Sequence, residues 1–84
     1  MEKQITAKLL QLGIKPNYRG FHYLRDIIQT YLHNPISSMM LMYEVTADNF
    51  EVTAKRVERA IRTVKEKSAY KCTNKAFIAQ LAEE

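Results

Sequence analysis

The stretch T-A-K-R-V-E-R-A-I-R-T-V-K-E-K, residues 53 to 67, decides how this chain is read. A helix advances about 100° per residue, so Val57, Ala60, Ile61 and Val64 converge on one side, with Ala54 at their edge. That side is expected to pack inward. Lys55, Arg59, Arg62 and Glu66 then project roughly opposite, with Arg56 and Glu58 on the flanks. Thr53 is a good N-cap, because its hydroxyl can accept an amide hydrogen of the first turn. The pattern predicts a helix from Ala54 to about Ser68 whose outward face is basic from its N-terminus.

The charge of the chain is concentrated here. Of 13 Lys and Arg and 9 Asp and Glu, this stretch holds Lys55, Arg56, Arg59, Arg62, Lys65 and Lys67 against Glu58 and Glu66. Seven residues of each sign remain elsewhere, so the whole formal excess of +4 lies in one helix. A diffuse excess mostly affects solubility. A local one creates a potential that can hold phosphates, and it points to a polyanion as partner.

Upstream, Glu51-Val52 makes a tight connection from a helix expected over Met39 to Phe50, for which Ser37 or Ser38 can supply the cap. A short helix, a short turn and a second helix exposing arginines is the arrangement of a helix-turn-helix, which lays its second helix in the major groove. Arginine can give two hydrogen bonds to guanine, and a carboxylate can accept from cytosine N4. Arg59 and Glu58 are therefore the base-reading candidates. Lys55, Arg56, Arg62 and Lys65 are better placed as phosphate contacts, which set register without reading sequence. The charge pattern also fits a plain surface helix with a solvated face, and Glu58 has an ordinary partner one turn on in Arg62.

Outside this pair, Ile5, Leu9 and Leu12 share one face of a first helix from about Glu2 to Leu12, which Gly13 stops. After the Lys15-Pro16-Asn17 turn, Gly20 precedes a second helix with an apolar stripe of Phe21, Leu24, Ile27, Ile28, Tyr31 and Leu32, ended by Asn34-Pro35. Lys15 and Arg19 flank the loop between them. Met39, Met40, Leu41 and Met42 exceed what one buried face needs. Core packing is expected for them, with an exposed methionine pair as the alternative. A last helix follows a Thr73 cap and closes the core with Ala76, Phe77, Ile78 and Leu81. With 84 residues, 46% of them hydrophobic, two glycines and two prolines, the expectation is all-α: a compact bundle of about five short helices in one domain, 1–84.

The N-terminus lacks the apolar run of a secretory signal, and no stretch approaches the roughly 20 apolar residues that cross a bilayer, so a cytosolic protein with no membrane contact is expected. Cys72 has no disulfide partner and no ligand spacing with His22 or His33. Neither histidine has a nucleophile arranged beside it, and no phosphate-binding glycine loop, paired carboxylate or metal motif is visible. The reading is of a binding protein, not an enzyme, with no metal and no cofactor.

T-A-K-R-V-E-R-A-I-R, 53 to 62, closely resembles the recognition-helix motif of the C-terminal DNA-binding domain of the stage-zero sporulation protein A family. Ile5-Thr6 with Leu12-Gly13-Ile14, then R-G-F-H-Y-L-R-D-I-I at 19 to 28, look like that family's first two helices. T-N-K-A-F-I-A-Q-L-A, 73 to 82, is similar to its closing helix, so the ordered blocks span nearly the whole chain. The resemblance implies a helical effector domain that binds short promoter elements and regulates transcription. It implies double-stranded DNA as partner, pairing of domains as a homodimer on tandem sites, and contact with RNA polymerase. It also implies that Arg56, Glu58, Arg59 and Arg62 face DNA, with Glu58 and Arg59 touching bases. This chain departs from the family in offering only about residues 69 to 72 between the last two helices, in having no room for a phosphorylated receiver domain, and at Lys55 and Thr63. A sequence-specific transcriptional regulator is the leading expectation. The alternative is a helical protein-interaction module that keeps the fold without binding DNA; an RNA binder lacks the aromatic platform or clamp loop that single strands commonly need.

Overall fold

A computed structural model describes residues 2–16, 18–34, 38–68 and 72–83. Its helices are α1 (Glu2–Gln11), α2 (Arg19–His33), α3 (Met39–Phe50), α4 (Ala54–Lys67) and α5 (Asn74–Glu83). No strand occurs among the described residues, and the architecture is all-α. The parts expected of Asn17, Pro35, Ser37 and the connection 69–71 fall outside them. α2 lies at the centre and packs against each of the other four helices. Around it Leu9, Phe21, Leu24, Ile27, Ile28, Met42, Val57, Ile61, Phe77 and Ile78 are almost completely buried. The radius of gyration, 11.4 Å, is close to the roughly 12 Å expected of a folded chain of this length.

Two residues among those described take the left-handed backbone region, Gly13 at φ 82° and Glu51 at φ 55°, and each ends a helix. After α1, Gly13 N–H donates to Leu10 O at 3.0 Å and Ile14 N–H to Leu9 O at 3.1 Å, while the buried Ile14 and Leu9 side chains join the core. This pairing satisfies carbonyls that the helix end leaves open. Glu51 repeats the device after α3: its N–H donates to Asp48 O at 3.3 Å and that of Val52 to Ala47 O at 2.9 Å. A side chain in this region carries a steric cost that glycine avoids. Glu51 bears it where the chain turns from α3 into α4.

The second helix corrects the sequence reading at its start. It begins at Arg19, so Gly20 lies inside α2 and is buried, and Arg19 belongs to a helix and not to a loop. The reason is close approach. A Cβ on Gly20 would collide with Val64 Cγ2 and stand 2.8 Å from the carbonyl oxygen of Ala60. Glycine thus lets the backbones of α2 and α4 meet.

A polar tie fixes α3 on α2. The Asp26 carboxylate accepts from the hydroxyl of Thr46 at 2.8 Å and from Asn49 Nδ2 at 3.0 and 3.2 Å. Thr46 is fully buried, so this bond satisfies a hydroxyl that would otherwise be costly in the core. Of the methionine group, Met42 is fully buried and Met39 partly so. Met40 is 64% exposed and Leu41 50% exposed, so the core placement expected for the whole group holds only in part.

Candidate nucleic-acid interface

α3, a three-residue turn and α4 form the helix-turn-helix. Both helices start on a hydroxyl cap: Ser38 Oγ accepts from the amide of Leu41, and Thr53 Oγ1 from that of Arg56, each at 3.1 Å. On α4, Val57, Ile61 and Val64 are buried and Ala60 partly so, which turns the other side outward. Lys55, Arg56, Arg59, Arg62, Thr63, Glu66 and Lys67 are exposed. No acidic residue occupies the first turn of α4. The positive end of the helix dipole therefore adds to Lys55 and Arg56.

The predicted site residues do not all share one surface. Lys55, Glu58, Arg59 and Arg62 line an open cleft of about 600 Å³ together with Met40 and Tyr43 of α3 and Ala54. Arg56 is exposed about 100° around the helix from Lys55 and lies outside that cleft. Lys65 is half-buried on the flank that also carries Ala54 and Glu58, and it is the least exposed of the cations proposed from sequence.

Glu58 and Arg62 are paired across one helical turn, with Arg62 Nη2 donating to Glu58 Oε2 at 2.8 Å. Both side chains remain accessible, 51% for Arg62 and 34% for Glu58. An exposed pair of this kind adds little stability. It does orient the guanidinium, whose other N–H groups stay available for a further acceptor. Lys67 sits over the Tyr18 ring, its Nζ 4.4 Å from the centroid, and marks the far end of the basic face.

One lining residue of the cleft, Tyr43, is bonded to α5, which the sequence reading did not connect to it. Asn74 Nδ2 donates to the Tyr43 hydroxyl at 3.0 Å and reaches the Glu58 carbonyl oxygen at 3.5 Å. Burial pushes the Tyr43 phenol above its usual range, and the hydrogen bond from Asn74 works against that shift. Tyr43 therefore stays neutral near pH 7 and can serve as the acceptor. Thr73 caps α5 through its bond from the Ala76 amide at 3.2 Å, which fixes Asn74 at the helix start. Met40 and Tyr43 were not singled out from sequence as neighbours of the basic residues, because their place beside Lys55, Arg59 and Arg62 depends on how α3 crosses α4.

The described residues contain no group of three His, Cys, Asp or Glu side chains able to hold a metal ion. No described helix is long and apolar enough to cross a membrane. Cys72 is a free, half-buried thiol. His22 is exposed, with Nε2 2.8 Å from the carbonyl oxygen of Pro16. What remains is a basic helix face set on a helix-turn-helix. The family model described as the sporulation initiation factor Spo0A C terminal matches residues 5–84. That match takes in most of α1 and all of α2 to α5, and the chain belongs to this family of DNA-binding effector domains of a sporulation regulator.

Proposed function

We propose that this chain is a sequence-specific double-stranded DNA-binding transcriptional regulator, with α4 in the major groove. The observation that carries the reading is the free basic face of α4, bounded on one side by an open cleft and on the other by Arg56. A helix in the major groove has a phosphate backbone on either side. Arg56 on one flank and Lys55 and Arg62 on the other suit both strands, which leaves Arg59 between them to reach a guanine edge. Lys65, half-buried, contributes through the local potential more than through direct contact. Glu58 either accepts from a cytosine amino group or holds Arg62 in place; its ion pair supports the second role in the free domain, and the family resemblance supports the first.

Regulation then follows from occupancy of a promoter, without chemistry by the protein itself. Homodimer formation on tandem sites and contact with RNA polymerase are carried by the family resemblance alone.

Selection of bound duplexes from a random pool tests the reading, followed by anisotropy titrations of the selected site. Replacing Arg59 with alanine should cost roughly 1–3 kcal/mol and relax preference at one base pair. Replacing Arg62 should weaken all sequences alike. If no sequence is enriched, the specific reading fails.

A further inference from the structure

α3 has a free face of its own, and DNA does not explain it. Five large hydrophobic residues are exposed among those described, and four belong to α3: Met40, Leu41, Val45 and Phe50. Phe50 leans edge-on against Tyr23, with ring centroids 5.1 Å apart, and so belongs to the seam with α2. Met40 borders the cleft beside α4. Leu41 and Val45 are left one helical turn apart on the outer side, 50% and 38% exposed. Beside them on the same arc stand Glu44 and Asp48, both exposed, and α3 contains no basic residue. An apolar pair bordered by one sign of charge suits a partner with apolar side chains and the opposite charge.

The charge decides the kind of partner. Duplex DNA, RNA and anionic bilayers are repelled by Glu44 and Asp48. A second copy of this chain is a poor match, because the basic face of α4 exposes no large hydrophobic residue and the other described surface offers only Leu10 on α1. We propose that the outer face of α3 is a docking surface for a protein helix presenting apolar side chains flanked by lysines or arginines. Leu41 and Val45 receive the apolar row, and Glu44 and Asp48 receive the cations. The inference stands independently of the DNA reading, since it uses none of the α4 residues.

The probe is a synthetic helical peptide about four turns long, with leucines along one face and lysines beside them, titrated into the whole 84-residue chain. Saturable binding is expected. It should weaken roughly tenfold or more with Leu41→Ser plus Val45→Ser, and likewise with Glu44→Lys plus Asp48→Lys. It should be unchanged by Arg59→Ala. A matched peptide with glutamates in place of lysines should not bind. These are surface positions, so the variants keep the fold, which their helical circular dichroism checks.

Binding indifferent to both double variants overturns the proposal. So does a concentration-dependent dimer of the chain that Leu41→Arg abolishes, which would assign the face to self-association. Recruitment to phosphatidylglycerol vesicles through Leu41, or loss of duplex affinity on Leu41→Ser, would assign it to a membrane or to DNA and overturn it as well.

Discussion

α3 and α4 are built alike on their inner sides and differ on their outer sides. Each starts on a hydroxyl cap and buries one stripe: Met42, Tyr43, Thr46 and Ala47 on α3, and Val57, Ile61 and Val64 on α4. Their free faces are opposites. α4 offers Lys55, Arg56, Arg59 and Arg62 to solvent, whereas α3 offers Leu41 and Val45 beside Glu44 and Asp48. Packing accounts for the inner stripes and leaves the outer residues unexplained. On the two proposals made above, these faces meet different partners, a duplex at α4 and a cationic helix at α3.

If the inner stripes are equivalent, large-to-small changes should cost about the same on either helix. Ile61→Ala and Met42→Ala, both at fully buried positions, should each lose about 2–5 kcal/mol in urea denaturation. A cost for Met42→Ala well under 1 kcal/mol would break the equivalence and leave α3 loosely held. Gly20→Ala sharpens what anchors α4 alone. Alanine is favoured over glycine by up to about 1 kcal/mol in a helix interior and by less in the first turn where Gly20 stands, while its methyl would press on Val64 and on the Ala60 carbonyl oxygen at 2.8 Å. Backbone cannot yield as a flexible side chain can, so a net loss of roughly 1–3 kcal/mol is expected in thermal or urea unfolding. A neutral or stabilising result would mean that α2 and α4 separate freely. The smallest effect concerns the caps. Ser38→Ala and Thr53→Ala should each cost about 1 kcal/mol, since each removes one 3.1 Å bond to a first-turn amide. A clear inequality between them would show that one helix start is held by something other than its cap.

The sequence told most where the physics is local. The bounds of α3, the Thr53 cap, the stop at Gly13 and the inward stripe of α4 follow from spacing and capping chemistry within a few residues. What it did not disclose depends on partners distant in the chain. Gly20 reads as preceding the second helix, whereas it stands in the first turn of α2, where its contact with Ala60 and Val64 leaves no room for a side chain. Tyr23 is buried against Phe50, and Thr46 against Asp26, through pairings more than a turn of sequence apart. At the site, the outward Arg59 and Arg62 and the Glu58–Arg62 pair were legible from helical geometry. The side of the cleft formed by Met40 and by Tyr43, the latter bonded to Asn74 of α5, was not, because a helix crossing has no signature in either helix alone. The exposed apolar face of α3 was half visible as an excess of methionine and leucine, although its exposed members proved to be Met40, Leu41 and Val45, with Met42 in the core.

Whether the outer face of α4 binds a duplex through its cations is decided by the salt dependence of duplex affinity, measured for the wild-type chain and for Arg62→Ala. Log affinity should fall linearly with log salt at about −0.9 per phosphate contacted, and losing Arg62 should make the slope shallower by about one such step. Affinity independent of salt, or a slope unchanged by Arg62→Ala and equally unchanged by Lys55→Ala and Arg56→Ala, would contradict it.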